Sequence, residues 1–407
     1  MNTPGLVGLD EIRDARTQLE GVAVPTPLDR SRALSARCGG EIMVKCENLQ
    51  RTGSFKIRGA FNRISRLTEA EGKLGVVAAS AGNHAQGVAL AASLSELSST
   101  VFMPEAAPIP KVEATKRYGA EVVLTGKDIG EALAAAQDFA RERGSVFVHP
   151  YDHPHVIAGQ GTIGLEIIEQ MPEVGTVVVP VGGGGLISGI AAAIKGLRPE
   201  TRMIGVQAEG AAAFPPSLEH GSPVSLESAA TIADGIAAMR PSELTFAHVS
   251  ALVDEVVTVS DDAIAEALVL TAERMKLVLE PAGAAGVAGV MVHPRLLKPP
   301  VVVVLSGGNI DPLLLLTVIR YGLSASGRYF AFHTRISDRP GELHRLIGLI
   351  AELGANIVGV EHRREGARVH VHVGDVDLTL ALETKGLDHI EEVVRTLGAA
   401  GYGLERF

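Results

Sequence analysis

One lysine stands inside Thr52-Gly-Ser-Phe-Lys56-Ile-Arg-Gly59, a polar, glycine-bounded stretch that runs into helical sequence. A lysine at a helix start is ordinarily a solvated surface residue. Beside Phe55, and desolvated enough to hold a neutral amine, it could instead be a nucleophile that forms a Schiff base with an aldehyde while the aromatic ring covers the adduct. A second constellation, Ser80-Ala-Gly-Asn-His-Ala-Gln-Gly87, follows directly on the apolar run at 76–79. Open α/β sheets place ligands at such turns between a parallel strand and a helix, and successive backbone N–H groups there suit a carboxylate. The plainer alternative is an ordinary turn with Asn83 as helix cap.

Two further loops share this plan. Val177-Val-Val-Pro-Val-Gly-Gly-Gly-Gly185-Leu-Ile-Ser188 is an apolar run that opens through four glycines into a helix. Such a backbone can fold closely around a phosphate, aided by the partial positive charge of a helix N-terminus. It is neither a Walker loop, since no Gly-Lys-Ser/Thr follows, nor G-x-G-x-x-G, since Ser188 fills the last glycine slot. The run at 301–305 delivers Ser306-Gly-Gly-Asn309, and Glu280-Pro-Ala-Gly-Ala-Ala-Gly286 offers a carboxylate before a glycine-rich helix start. A lysine, an asparagine, a phosphate cradle and a neutral hydroxyl are together the parts that pyridoxal 5′-phosphate needs.

The elements that must carry these loops alternate. Short β-branched runs at 42–45, 76–80, 100–103, 121–124, 177–181, 203–208 and 301–305 read as strands buried on both sides, and 130–143, 162–170, 186–195 and 261–276 show the spacing of helices, the last capped by Ser260. This is the α/β pattern of parallel sheets covered by helices. After a small, polar linker near 322–327 the rhythm changes to βαββαβ, with strands at 329–336, 356–363, 376–383 and from Tyr402, and helices at 343–353 and 387–397. That order is ferredoxin-like and self-sufficient. Domains are therefore expected at 1–325 and 328–407.

Composition narrows the function. With 407 residues, 46% of them hydrophobic, the chain can form two or three soluble domains. Forty-seven acidic against 37 basic residues, a net charge of −10, argue against nucleic acid. No segment reads as a membrane span or a signal peptide, so a cytosolic protein is expected. Cys38 and Cys46 lack C-x-x-C spacing and read as small core residues. His149, His153 and His155, like His370 and His372, read as surface histidines rather than zinc ligands, and Gly210-Ala-Ala-Ala-Phe-Pro-Pro216 after Glu209 offers no second carboxylate, so no metal is expected.

The motifs S-F-K-x-R-G, S-A-G-N-H-A-Q-G, G-G-G-G-L and S-G-G-N, in this order, resemble those of the two-lobed fold type II pyridoxal-phosphate enzymes, most closely the threonine dehydratases, over about residues 10–325. The resemblance implies that Lys56 joins the cofactor aldehyde and moves the proton at the substrate α-carbon. It further implies that Asn83 hydrogen-bonds the phenolic oxygen, that Gly182, Gly183, Gly184 and Gly185 hold the phosphate, and that Ser306 faces the ring nitrogen. Ser80, Ala81, Gly82 and His84 would form the pocket for the substrate carboxylate, largely through backbone N–H. Ser80 and Glu280 join Lys56 as catalytic candidates, and a smaller lobe would occupy about 60–150. A serine opposite the ring nitrogen supplies no charge to keep it protonated, which favours prompt loss of a β-hydroxyl. Serine racemases look similar but carry a second serine where this chain has Ala81, and tend to Asn where it has Tyr151. Both departures point to elimination, giving a 2-oxo acid and ammonia. A serine dehydratase or racemase, or a silent amino-acid sensor on the same scaffold, are the rival readings, and the intact Lys56 argues against the last.

The turn Ser337-Asp-Arg-Pro-Gly-Glu-Leu343 resembles the D-x-P-G-x-L turn of ACT regulatory domains. By that resemblance Asp338, Pro340, Gly341, Leu343 and Asn356 would line an effector pocket for isoleucine or valine, completed by a second copy in a homodimer or homotetramer. The alternative is a packing domain that binds nothing.

Overall fold

The computed structural model describes residues 5–363 and 375–406, which form two compact units, Met1–Leu315 and Leu316–Phe407. His370 and His372 lie outside the described residues. In chain order the first unit contains β1 (Leu28–Arg30), β2 (Ile42–Lys45), β3 (Val76–Ala79), β4 (Ser99–Met103), β5 (Glu121–Leu124), β6 (Val146–Phe147), β7 (Thr176–Pro180), β8 (Arg202–Ala208), β9 (Glu255–Val259) and β10 (Val301–Val304). One sheet has the order β1-β2-β10-β7-β8-β9 and is parallel except for β1, which runs antiparallel to β2. The other, β5-β4-β3-β6, is wholly parallel. The valines of β7 and β10 are buried on both faces, as β-branched residues in a helix-covered sheet should be.

Four of the loops rich in chemistry leave carboxyl ends of these strands. β2 leads through two tight turns to the helix Lys56–Ile64, β3 to the helix Asn83–Leu94, β7 to the glycine run and the helix Gly185–Leu197, and β10 to Ser306. Strand polarity thus gathers segments more than 200 residues apart.

Several boundaries differ from expectation. β5 is half exposed because it is a sheet edge, so only its inner neighbours are buried on both faces. The helix expected from 162 begins at Pro154, a residue suited to a first turn, with His153 accepting from the His155 N–H. Ser260 caps its helix, but the regular turns end at Leu270 and a π turn follows over Thr271–Met275. Cys46 is buried, whereas Cys38 is only half buried, and both are free thiols.

The second unit contains β11 (Tyr329–Ser337), β12 (Asn356–Arg363), β13 (Asp375–Glu383) and β14 (Glu405–Arg406) in the antiparallel order β12-β13-β11-β14. Helices Glu342–Glu352 and Leu387–Ala399 cover it, and Phe332, Leu346, Ile350, Leu380 and Val393 form its core. Tyr402 belongs to that core rather than to the last strand. Among the described residues, no helix is long and apolar enough to cross a membrane.

Candidate active site

Lys56 is the first residue of its helix, and its Nζ donates to the Pro150 carbonyl at 3.2 Å. Burial pushes the amine down to about 8, although Glu280 pulls it upward. Phe55 lies beside it, with Nζ 5.0 Å from the ring centroid. The Phe55 N–H donates to the Ser306 carbonyl at 3.2 Å, and Ser54 bridges to Gly307, so the β10 loop is sewn to the segment carrying the lysine.

Asn83 does not cap its helix, because the cap position belongs to Gly82. Its amide instead sits in a chain of hydrogen bonds. Asn309 Nδ2 donates to the Thr52 carbonyl and, at 2.8 Å, to Asn83 Oδ1, and Asn83 Nδ2 donates to Glu280 Oε1 at 2.5 Å. A carbonyl can only accept, so Asn309 must turn its NH₂ toward Thr52, which forces the oxygen of Asn83 toward Asn309 and its NH₂ the other way. Thr52 holds its carbonyl there from a left-handed backbone, φ 62°, unusual for a branched residue. Burial pushes the Glu280 carboxyl up to about 7, with the Asn83 bond opposing.

In the Ser80 turn the Gly82 N–H donates to Ser80 Oγ at 3.1 Å. The helix has no side-chain cap, so the N–H groups of its first turn, at Asn83 and His84, are left by the cap for another acceptor. The His84 ring does not share that task. Its Nε2 donates to the Val148 carbonyl at 2.8 Å, and burial, helped by the charge of Lys56, pushes it down to about 3. His149, His153 and His155 are half buried rather than on the surface, and burial lowers all three. His149 Nδ1 accepts the Tyr151 and Asp152 N–H groups.

The glycine loop is bounded on every side. A Cβ at Gly182 would meet the Ile236 backbone at 2.9 Å, at Gly183 the Tyr151 ring at 2.3 Å, at Gly184 the Phe214 ring at 2.6 Å, and at Gly185 the Tyr151 Cβ at 2.7 Å. Gly184 also has φ +93°, and no side chain caps the helix that follows. The loop therefore presents bare backbone at a helix N-terminus, as a loop that receives a phosphate would.

A model of the family described as pyridoxal-phosphate dependent enzyme matches residues 19–307. The chain belongs to that family. An L-threonine ammonia-lyase of Thermotoga maritima is 49% identical to this pyridoxal-phosphate enzyme over 397 residues, covering 98% of each chain. Among solved structures, the processed form of threonine deaminase isoform 2 from Solanum lycopersicum matches with a TM-score of 0.73 and 38% identity, covering 78% of this chain and 95% of that one. Maize serine racemase matches with a TM-score of 0.74 and 36% identity, covering 79% and 99%.

The residues present fit the cofactor. The glycine cradle has no space for side chains, and Thr52 Oγ1, Ser54 Oγ and Ser188 Oγ are buried beside these loops without a partner among the described residues, as groups that meet a polar ligand would be. The enzyme uses pyridoxal 5′-phosphate. Among the described residues, no group of three His, Cys, Asp or Glu side chains is arranged to hold a metal ion.

Sequence reasoning missed two features of this pyridoxal-phosphate enzyme. Asn309 lies in the S-G-G-N motif, but only the fold shows that it sets the polarity of Asn83. Tyr151 was noted for its residue type, whereas its ring proves to be the wall behind Gly183 and Gly185.

Proposed function

We propose that this enzyme is a cytosolic ammonia-lyase that converts L-threonine to 2-oxobutanoate and ammonia and also accepts L-serine. The observation that carries the reading is Lys56, a half-buried amine lowered to about 8, whose loop is hydrogen-bonded to Ser306 and, through Asn309, to Asn83. The whole-chain likeness to an L-threonine ammonia-lyase supports the substrate. When bound, the cofactor withdraws electrons from the substrate α-carbon. Asn83, with its NH₂ oriented by Asn309, holds the phenolic oxygen, and the four glycines hold the phosphate through N–H. Ser306 offers the ring nitrogen a neutral hydroxyl. The N–H groups at Asn83 and His84, with Ser80, Ala81 and Gly82 shaping the turn, receive the substrate carboxylate. Lys56 takes the α-proton, the β-hydroxyl departs, and hydrolysis releases the 2-oxo acid and ammonia.

Cofactor loading should follow the Lys56 amine. Only the neutral amine would condense with the cofactor aldehyde, its two protons leaving with the carbonyl oxygen as water. For an amine lowered to about 8, attachment should quicken up to that pH and then level off, where an ordinary lysine would keep gaining to about 10.4. Visible absorbance after mixing apoenzyme and cofactor at several pH values measures it. A rate still rising tenfold per unit above about pH 9 would refute the assignment.

In the second unit we propose an ACT-type effector site within residues 328–407, following a catalytic domain at 1–325. Asp338, Pro340 and Gly341 are exposed at the turn after β11, and Gly341, φ +99°, opens the next helix without a side-chain cap. Leu343 packs on the core, and Asn356 Nδ2 donates to Glu383 at 3.1 Å. Isoleucine or valine, bound in a homodimer or homotetramer, would regulate the enzyme. Release of 2-oxobutanoate from L-threonine, with and without isoleucine, tests both claims. Turnover suppressed by isoleucine is expected; unaffected turnover removes the effector, and no turnover removes the substrate. The likeness to maize serine racemase supports racemisation as a second reading. Ala81 stands where that reaction needs a second acid, so D-serine should not accumulate, and chiral chromatography decides it.

A further inference from the structure

The helix that begins at Lys56 starts badly. Its first turn holds Lys56 and Arg58, no acidic residue and no side-chain cap, although the positive end of a helix dipole disfavours cations. The missing negative charge comes from other elements. Arg58 is buried, and its Nε and Nη2 donate to the two oxygens of Glu47, both at 2.9 Å, in a bidentate pair. Its Nη1 donates to Glu166 at 2.6 Å and to Thr162 at 3.1 Å. The other oxygen of Glu166 accepts from the buried Lys45 at 2.5 Å. Two cations and two carboxylates thus form a neutral quartet joining the end of β2, the lysine helix and the helix Pro154–Gln170.

Replacing buried ion pairs by apolar residues of similar volume is often neutral or stabilising, so stability alone does not account for this largely buried quartet. A bidentate guanidinium–carboxylate pair fixes both distance and plane, which an apolar contact does not. Arg58 sits two residues after Lys56 and so projects from a different side of the same turn. The turn also has little slack there, since a Cβ on Gly59 would meet Gln160 at 2.4 Å. We propose that Arg58 is a positioning residue that, through Glu47 and Glu166, fixes the rotation and register of the first helical turn and so aims the Lys56 amine at its carbonyl partner. The proposal rests on the reading of Lys56 as the cofactor-binding lysine.

The test separates the two. Borohydride reduction of the wild-type holoenzyme, followed by peptide mass analysis, should find the cofactor on Lys56; a different position overturns that reading itself. Given that label, Arg58→Lys keeps the charge but loses the fork, and Glu47→Leu with Arg58→Met keeps the balance without ions. In either variant the rate of covalent attachment of pyridoxal 5′-phosphate to the apoenzyme should fall by about ten- to a hundredfold, and kcat should fall with KM little changed. A merely structural role would lower the thermal midpoint and leave the attachment rate of the folded protein alone. Rates within about twofold of wild type in a folded variant overturn the inference. So does a failure of both variants to fold, which would make the quartet a folding element.

Discussion

Lys56→Ala should leave a folded protein that binds pyridoxal 5′-phosphate without a covalent bond and turns over L-threonine about 10⁴-fold more slowly or worse. The size follows from two losses at one atom, the link to the cofactor and the base for the α-proton. Stability should move the other way in the apoenzyme. Folding lowers this amine from 10.5 to about 8, so a proton bound in the unfolded chain is disfavoured in the folded one. That penalty, on the order of 3 kcal/mol, is fully present below about pH 8 and vanishes above about pH 10.5. The alanine variant escapes it but loses packing from the side-chain stem. Its thermal midpoint at pH 7 should therefore match or exceed that of wild-type apoenzyme, with the advantage shrinking as pH rises toward 10.5. Measured 2-oxobutanoate release within tenfold of wild type would remove Lys56 from the chemistry. A wild-type midpoint that is higher at pH 7 and lower at pH 10 would contradict its lowered amine.

Which parts of this were legible beforehand depended on how far apart the cooperating residues lie in sequence. The strand at 42–45 and the glycine run at 182–185 announce themselves locally, through β-branched runs and through residue types that only a close backbone approach explains. β5 has the same composition as its neighbours, yet it is an edge. Nothing within four residues records which strand pairs on only one side. The regular helix from Asp261 stops where the periodicity still continues, because a π turn keeps the same residue types while shifting the face they occupy. The histidines near 150 read as solvated by type, but the fold leaves them half buried. The polarity of Asn83 is the extreme case. It is set by the carbonyl of Thr52 through Asn309, a relation across more than 200 residues that no spacing rule contains. Arg58 is an intermediate case, with one partner 11 residues away at Glu47 and two about a hundred residues away at Thr162 and Glu166.

Gly183→Ala should cost the enzyme its cofactor. The added methyl carbon would lie 2.3–2.4 Å from three atoms of the Tyr151 ring, far inside ordinary contact. The ring cannot swing away freely. It packs edge-on against His149 with centroids 4.6 Å apart, its hydroxyl donates to the Arg240 carbonyl at 3.4 Å, and its own backbone N–H is held by the His149 ring. The loop must therefore yield instead, carrying its N–H groups off the line of the phosphate. Overpacking of this kind costs about 1–3 kcal/mol, and a loss near the upper end corresponds to roughly a hundredfold weaker binding. Titration of the apoenzyme with pyridoxal 5′-phosphate, followed by visible absorbance, reads that loss directly. Pairing the change with Tyr151→Ala distinguishes the clash from any other effect of the methyl group. If the ring is what the methyl strikes, the double variant should recover most of the affinity, although Tyr151→Ala alone costs some by removing the wall behind the loop. A single variant that binds within about threefold of wild type would mean that the phosphate is not held at Gly183. A double variant as weak as the single one would mean that the backbone of residue 183, rather than the space behind it, is what the cofactor requires.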